Sequence, residues 1–183
     1  MQRPGRFAAD QQAWSQVWAT ALPPAPLDVL DVGTGTGTGQ AAIVLAGLGS
    51  RVTGIDLSEG MLQRARHHAA AMPNGPVIAY GDAVSPDFPA ASFDAVTSRY
   101  LMWTLREPQV AVANWVRLLR PGGTVAVVDS TWFPDGLDNA SENFADHYDN
   151  AVRSALPLAT VKSIDQTVAV LEWAGLRDVT AYR

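Results

Sequence analysis

The sequence predicts an α/β fold in which a mostly parallel sheet carries helices on both faces. Short apolar runs alternate with amphipathic helical segments along the chain, and this alternation is typical of parallel sheets. A run of alternating glycines follows the first predicted strand, at the kind of position where such sheets bind ligands. With 183 residues, 48% of them hydrophobic, the chain is long enough for one domain with a buried core.

The predicted elements follow one another without a linker or an internal repeat. An N-terminal helix over residues 11–22 places Trp14, Val17, Trp18 and Leu22 on one side and ends at a proline-rich stretch. The predicted strands cover residues 28–32, 51–55, 77–80, 93–98, 124–129 and 176–182. The further predicted helices cover residues 40–48, 58–72, 108–119, 139–155 and 163–175.

Three helix starts have recognisable signals. Ser58 is a residue type that caps helix N-termini, and Pro108 suits the first position of a helix. Ser163 and Gln166 have the spacing of a capping box. The last helix is expected to end at Gly175, a residue typical of helix C-termini.

Composition excludes several classes of site. The sequence has no cysteine, so disulfides, zinc–thiolate centres and cysteine nucleophiles are excluded. The formal net charge of −5 argues against a broad nucleic-acid surface. The three histidines do not share ligand spacing with carboxylates, so no metal site is expected. No apolar run is long enough to span a bilayer, and the start does not resemble a signal peptide, so a cytoplasmic location is expected by default.

The glycine run joins the first strand to the next helix with the spacing G-x-G-x-G, formed by Gly33, Gly35 and Gly37. A dinucleotide fingerprint has the spacing G-x-G-x-x-G, and a Walker loop ends in Gly-Lys-Ser/Thr; neither is present. Glycines permit a sharp turn and close approach of a ligand to the backbone. The following helix N-terminus adds free N–H groups and a partial positive charge.

Acids stand at or near the ends of three predicted strands. Asp31 lies two residues before the first glycine, Asp56 ends the second strand, and Asp82 follows the third. A carboxylate at the second position can accept hydrogen bonds from both hydroxyls of a ribose, and Asp82 could accept one from an adenine amino group. These acids suit a ligand with a ribose, an amino group and a sulfonium better than a pyrophosphate. Alternatively, Asp31 is a turn acid, and Asp56 and Asp82 are helix caps.

The order of motifs resembles that of class I S-adenosylmethionine-dependent methyltransferases. The resemblance is strongest to the branch of methyltransferase type 11, with quinone-biosynthesis-like and bacterial natural-product enzymes. It covers residues 27–130 well and 163–182 loosely. Five motifs in order are specific, whereas one alone would be weak. They are residues 29–37, 54–58 (GIDLS), 81–83 (GDA), 92–96 (SFDAV) and 119–123 (LRPGG).

The resemblance implies a single Rossmann-like domain over residues 1–183 that binds S-adenosyl-L-methionine and releases S-adenosyl-L-homocysteine. Residues 1–26 would form a cap helix, 27–130 the cofactor-binding core, and 131–183 the substrate-side helices and last strand. Asp56 would hold the ribose hydroxyls, Leu57 would pack on adenine, and the Ser98 carbonyl would take the methionine amino group. The methionine part would lie on Asp31, Gly33, Thr34, Gly35 and Gly37, and the adenine edge on Gly81, Asp82 and Ala83.

Residues 98–105 are expected to face the methyl group, which passes to a small-molecule acceptor by in-line displacement. This segment lacks the motif of nucleic-acid amino-methyltransferases and the metal-binding acid of catechol-type enzymes, so neither nucleic acid nor metal is expected. Candidate general bases are His147 and Tyr100. An apolar acceptor pocket is predicted from Trp103, Trp132, Phe133 and Tyr148, although core packing is the commoner role for any one aromatic residue taken alone.

The sequence departs from the family at its end, where the final antiparallel hairpin strand is expected to be missing. The predicted last strand, residues 176–182, would then lie against the fifth strand, pair with a second copy of the chain, or leave an open edge. A homodimer through that edge is one expectation. Two other functions compete with methyl transfer: a non-catalytic or truncated S-adenosylmethionine-binding protein, and a nicotinamide-dependent reductase, which the glycine spacing disfavours.

Overall fold

The structure is a computed structural model that describes residues 4–36, 41–136 and 150–182. These residues contain five strands, which pair in parallel to form one sheet. They are β1 (Asp28–Val32), β2 (Arg51–Asp56), β3 (Val77–Tyr80), β4 (Phe93–Arg99) and β5 (Leu119–Val128). Their spatial order is β3-β2-β1-β4-β5. β2 and β3 lie on one side of β1, and β4 and β5 lie on the other, so the strand order switches sides between β1 and β4. Open α/β sheets bind ligands at such a position.

Helices cover both faces of the sheet, so the predicted α/β fold is confirmed. A short 3₁₀ helix, Met102–Thr104, follows β4. The α-helices are α1 (Pro4–Ala21), α2 (Ala41–Gly47), α3 (Glu59–Ala70), α4 (Pro108–Leu118), α5 (Asn150–Ser154) and α6 (Asp165–Trp173). Among the described residues, no helix combines the length and apolar character that crossing a membrane requires.

The sheet separates two apolar cores. Leu30 faces a core that α4 and α6 cover, and this core includes the fully buried Trp115. Val29, its neighbour, faces a second core against α1 and α2, which includes the fully buried Trp18. Successive side chains of a strand point to opposite faces, so a strand covered on both faces is apolar at consecutive positions. Val17, predicted on the same side of α1 as Trp18, is 41% exposed, whereas Trp18 is fully buried.

An ion-pair cluster holds the amino-terminal ends of β1, β4 and β5 together. The Arg120 guanidinium donates to Asp28 and to Asp94, each at 2.9 Å. The second Asp94 oxygen accepts the backbone N–H of Asp28 at 2.8 Å. Arg51 also donates to Asp28, and its hydrogen bond is the main reason that the pKa of Asp28 is lowered. This cluster lies at the opposite end of the sheet from the glycine turn.

The fifth strand begins earlier than predicted, at Leu119 rather than Thr124. Leu119 pairs with Phe93, and Thr124 pairs with Ala95. The register shift between these two pairs accommodates the Arg-Pro-Gly-Gly segment, in which Gly122 has a φ of +80°. The sequence predicts that this segment separates the preceding helix from the fifth strand, but the pairing with β4 extends the strand through it.

Two of the three predicted helix starts are confirmed. Ser58 caps α3 and accepts the Met61 N–H at 3.4 Å, and Pro108 begins α4. The predicted capping box of α6 is wrong: the helix begins at Asp165, whose N–H donates to the Ser163 hydroxyl at 3.1 Å. Of the helix predicted over residues 139–155, only the part from residue 150 onward lies within the described residues.

The predicted sixth strand is wrong, because residues 176–182 form no strand. Leu176 and Val179 both pack against the core beneath α4, a spacing of three that a strand with alternating faces would not give. Between them, Asp178 has a φ of +56°, which interrupts an extended backbone. β5 therefore lies at one edge of the sheet that the described residues form.

Candidate functional site

A cavity of about 370 Å³ opens at the carboxyl ends of the first three strands. The loops that follow β1, β2 and β3 form one wall, and the segment between β4 and α4 forms the other. Six predicted cofactor residues line it: Gly33, Asp56, Leu57, Gly81, Asp82 and Ala83. Its other lining residues are Val84, Leu101, Thr104, Leu105, Arg106 and Glu107.

The turn after β1 requires glycine at its first position. Gly33 and Gly35 have φ values of +69° and +59°, in the left-handed region that side chains disfavour. A Cβ on Gly33 would also lie 2.9 Å from Leu101 Cδ1. Thr34 between them is 1% exposed, and its N–H donates to the Ile55 carbonyl at 2.9 Å. Gly37 lies outside the described residues.

Asp56 ties the glycine turn to the end of β2. Its Oδ2 accepts the Gly35 N–H at 2.9 Å, and its Oδ1 accepts the Ser58 N–H at 2.8 Å. These two bonds fix the orientation of the carboxylate at the cavity wall. An ionised carboxylate has about four acceptor positions, so Asp56 retains capacity for further donors from a ligand.

The loop after β3 is held by its own carboxylate and by α4. Asp82 Oδ1 accepts the Val84 N–H at 2.8 Å. The buried indole of Trp115 donates to the Ala83 carbonyl at 2.7 Å, and Asn114 donates to the Val84 carbonyl at 2.8 Å. In the same wall, Leu57 is 56% exposed, so its apolar side chain is available to pack on a ligand.

Asp31 lies beneath the cavity rather than in its lining. It is 2% exposed, and it accepts the Thr97 hydroxyl at 2.9 Å and the Ala42 N–H of α2 at 3.2 Å. Burial raises its pKa to about 6, against the opposing effect of these hydrogen bonds. The carboxyl group therefore links β1, β4 and α2.

Ser98 is likewise fully buried, and its hydroxyl has no hydrogen-bond partner among the described residues.

Aromatic side chains cluster beyond the carboxyl ends of β4 and β5. The ring of Trp103 lies 5.7 Å from that of Trp132 and 5.6 Å from that of Phe133, between centroids. The ring of Tyr100 lies 5.1 Å from that of Trp132, and Tyr100 has a φ of +58°. Three predicted pocket residues and one predicted base thus lie together. Tyr148 and His147 lie outside the described residues.

Asp129, a strand end to which the sequence analysis assigned no role, organises this aromatic cluster. Its Oδ1 accepts the Trp132 indole N–H at 2.8 Å, and its Oδ2 accepts the Trp103 backbone N–H at 3.3 Å. Burial raises the pKa of its carboxyl group. Asp129 directly follows β5, so the rule that singled out acids at other strand ends could have found it.

Sequence reasoning also assigned no role to Arg99, the last residue of β4. Its guanidinium carbon lies 4.3 Å from the ring centroids of Trp14 and Tyr100. Nothing in the local sequence distinguishes this arginine from a surface cation, because α1 supplies one of the rings.

The described residues contain no cluster of three or more acids and histidines that could hold a metal ion.

Comparison with known proteins decides the family. Residues 30–127 match the family model described as a methyltransferase domain, which is more than half of the chain. The chain belongs to this family. The resemblance to class I S-adenosylmethionine-dependent methyltransferases is thereby confirmed, and with it S-adenosylmethionine as the family's cofactor.

The chain is similar to methyltransferases that are named for different acceptors. It is 29% identical over 165 residues to a demethylmenaquinone methyltransferase of Clavibacter sepedonicus, covering 90% of this chain and 63% of the relative. It is 39% identical over 109 residues to a ubiquinone biosynthesis O-methyltransferase of Thiobacillus denitrificans, covering 58% and 45%. The chain thus spans less than two thirds of the length of these curated relatives.

A solved structure shows the same fold with the cofactor bound. Phosphoethanolamine N-methyltransferase 2 of Haemonchus contortus, in complex with S-adenosyl-L-methionine, superposes with a TM-score of 0.67. It is 26% identical, and the match covers 93% of this chain and 37% of that one.

Proposed function

We propose that the chain transfers the methyl group of S-adenosylmethionine to a small-molecule acceptor, without a metal. One observation carries the proposal. A cavity lined by Gly33, Asp56 and Asp82 lies on one side of the segment that follows β4, and the aromatic cluster lies beyond the carboxyl end of β4. The two sites have the chemistry that a cofactor and an acceptor need, and β4 lies beside both. This arrangement favours methyl transfer over a cofactor-binding role alone.

The residues of the cavity fit an adenosine group. Gly33 and Gly81 line the cavity, and because glycine has no side chain a ligand can approach the backbone closely at both positions. Asp56 has free acceptor capacity for ribose hydroxyls, Leu57 offers an apolar surface for adenine, and Asp82 would accept a hydrogen bond from the adenine amino group. A pyrophosphate would meet two carboxylates here, which disfavours a nicotinamide cofactor.

The protein's main contribution to catalysis is alignment. S-adenosylmethionine supplies an activated methyl group, so no metal or covalent intermediate is required. The Ser98 carbonyl and the glycine turn would orient the methionine part. Fixing both reactants in line can supply up to roughly 7–11 kcal/mol of the barrier in favourable cases. A general base helps only if the acceptor is a hydroxyl or a protonated amine. Tyr100 and His147 are the candidates for that base.

Calorimetry tests the cofactor assignment. S-adenosylhomocysteine is expected to bind the wild-type chain, and NADH is not. Asp56→Ala should weaken S-adenosylhomocysteine binding by at least roughly 1.5–3 kcal/mol, the range for hydrogen bonds to charged groups. Asp87→Ala is the matched control, because Asp87 is an exposed acid outside the cavity lining. Tight NADH binding with no response to S-adenosylhomocysteine would contradict the proposal.

Turnover assays test the acceptor side. The aromatic cluster of Trp103, Trp132 and Phe133 favours a flat, apolar acceptor, and two relatives are named for quinone biosynthesis. Phenolic and quinone-type precursors are therefore the first acceptors to assay, with phosphoethanolamine as the polar comparison. Cofactor binding without methyl transfer to any acceptor would favour a non-catalytic binding protein.

We also propose that a second copy of the chain pairs with the β5 edge. β5 is an edge strand of the sheet in the described part of the chain, and unpaired strand edges favour pairing with another chain. Light scattering would show a dimer at micromolar concentration, and a monomer at all concentrations would contradict this. The expected cytoplasmic location stays a prediction.

A further inference from the structure

The Arg99 guanidinium has unused hydrogen-bond donors. Within the described residues it forms no ion pair and donates no hydrogen bond, and its Nε is buried without a partner. A guanidinium offers five donors, and leaving a buried donor unsatisfied is costly. Cation–π contacts with Trp14 and Tyr100, whose ring centroids each lie 4.3 Å from the guanidinium carbon, hold the group in place but satisfy none of its N–H donors.

The position of Arg99 brings its charge beside the glycine turn. Ser98, the preceding residue, pairs with Val32 of β1, so Arg99 comes level with Gly33, the first residue of the turn. The charge also acts on the buried Asp31 carboxyl group, although the two form no ion pair. An anion that lay over the glycine turn would therefore lie within reach of the guanidinium.

We propose that Arg99 binds the α-carboxylate of the amino-acid part of S-adenosylmethionine, an inference that rests on the proposed function. The cavity beyond Gly33 suits the adenosine part, so the amino-acid part extends from it along the turn towards the end of β4. That part ends in an α-carboxylate, and a guanidinium matches the planar geometry of a carboxylate. The rings of Trp14 and Tyr100 then act as a clamp that holds the guanidinium in position before the ligand arrives.

The clamp also gives α1 a role in cofactor binding. Trp14 belongs to α1, packs 6.3 Å from the ring of the buried Trp18, and meets Tyr100 edge to face at 6.3 Å. α1 therefore acts on the cofactor through Arg99, which it orients. Trp14 is accordingly a positioning residue, whereas Arg99 makes the contact.

Two ligands that differ only in the amino-acid part test this role. S-adenosylhomocysteine carries the α-carboxylate, and 5′-methylthioadenosine carries the adenosine without it. Arg99→Met should weaken S-adenosylhomocysteine binding by about tenfold or more, as expected for a lost charge-assisted hydrogen bond. It should leave the affinity for 5′-methylthioadenosine unchanged within about twofold. Arg99→Lys should recover part of the loss, because lysine keeps the charge without the planar fork.

Isothermal titration calorimetry on the full chain gives these affinities, and thermal melts of the free variants check folding. Arg64→Met is the matched control, because Arg64 is an exposed arginine of α3. Equal affinity of wild type and Arg99→Met for S-adenosylhomocysteine would overturn the assignment, as would an equal loss for both ligands. If the wild-type chain binds neither ligand, the proposed function itself fails, which is a different result.

Discussion

The buried Asp31 carboxyl group should make the stability of the fold depend on pH in a way that Asp31→Asn removes. Burial raises its pKa from 3.8 to about 6. Between these values the folded state binds more protons than the unfolded state, so stability falls as pH rises through this window. At about 1.4 kcal/mol per unit, the ionised group costs the fold about 1 kcal/mol at pH 4.5 and about 3 kcal/mol at pH 7.5.

Asparagine can replace the carboxyl group without losing its partners. Its oxygen can accept the Ala42 N–H, and its amide can donate to the Thr97 hydroxyl, which is able to accept as well as donate. The variant thus imitates the protonated acid at every pH. Relative to wild type, Asp31→Asn should gain about 2 kcal/mol of unfolding free energy between pH 4.5 and pH 7.5.

Urea unfolding followed by tryptophan fluorescence measures this difference, since the chain has six tryptophans. Comparison at each pH removes the titration of groups that the two proteins share. Asp87→Asn, at an exposed loop position, is the matched control and should show a nearly constant offset. A constant offset for Asp31→Asn, or a loss of stability that grows with pH, would refute the argument from burial.

Three further outcomes are expected. Gly33→Ala should lose roughly 1–3 kcal/mol of stability through its φ of +69° and the contact with Leu101. Gly60→Ala, at an uncrowded helical position, should lose none, and equal thermal melts of both variants would contradict this. Trp115→Phe should cost roughly 1–3 kcal/mol, because it leaves the Ala83 carbonyl without its buried donor, and it should weaken S-adenosylhomocysteine binding; unchanged calorimetric affinity would separate α4 from the site. Methyl transfer should survive a chelator, and loss of activity that magnesium restores would show that a metal is required.

The alternation of strands and helices, the glycine spacing and the acids after three strands are local patterns, and each was visible in the sequence. These patterns predicted the parallel sheet, and they predicted that Gly33, Asp56 and Asp82 lie together, because the carboxyl ends of parallel strands share one edge. The starts of α3 and α4 were predicted as well, because the signals at Ser58 and Pro108 are also local properties of the sequence. The cofactor family followed from the order of these patterns along the chain.

Pairing, burial and long-range contacts were decided only by the tertiary structure. Residues 176–182 have strand-like composition, but a strand exists only where a neighbour supplies hydrogen bonds. In this segment Leu176 and Val179 pack on the core instead. Asp31 and Asp56 look alike in the sequence, yet burial gives Asp31 a raised pKa and leaves Asp56 at the cavity wall. Arg99 owes its place to Trp14 of a distant helix. Such contacts join residues far apart along the chain, and no local pattern encodes them.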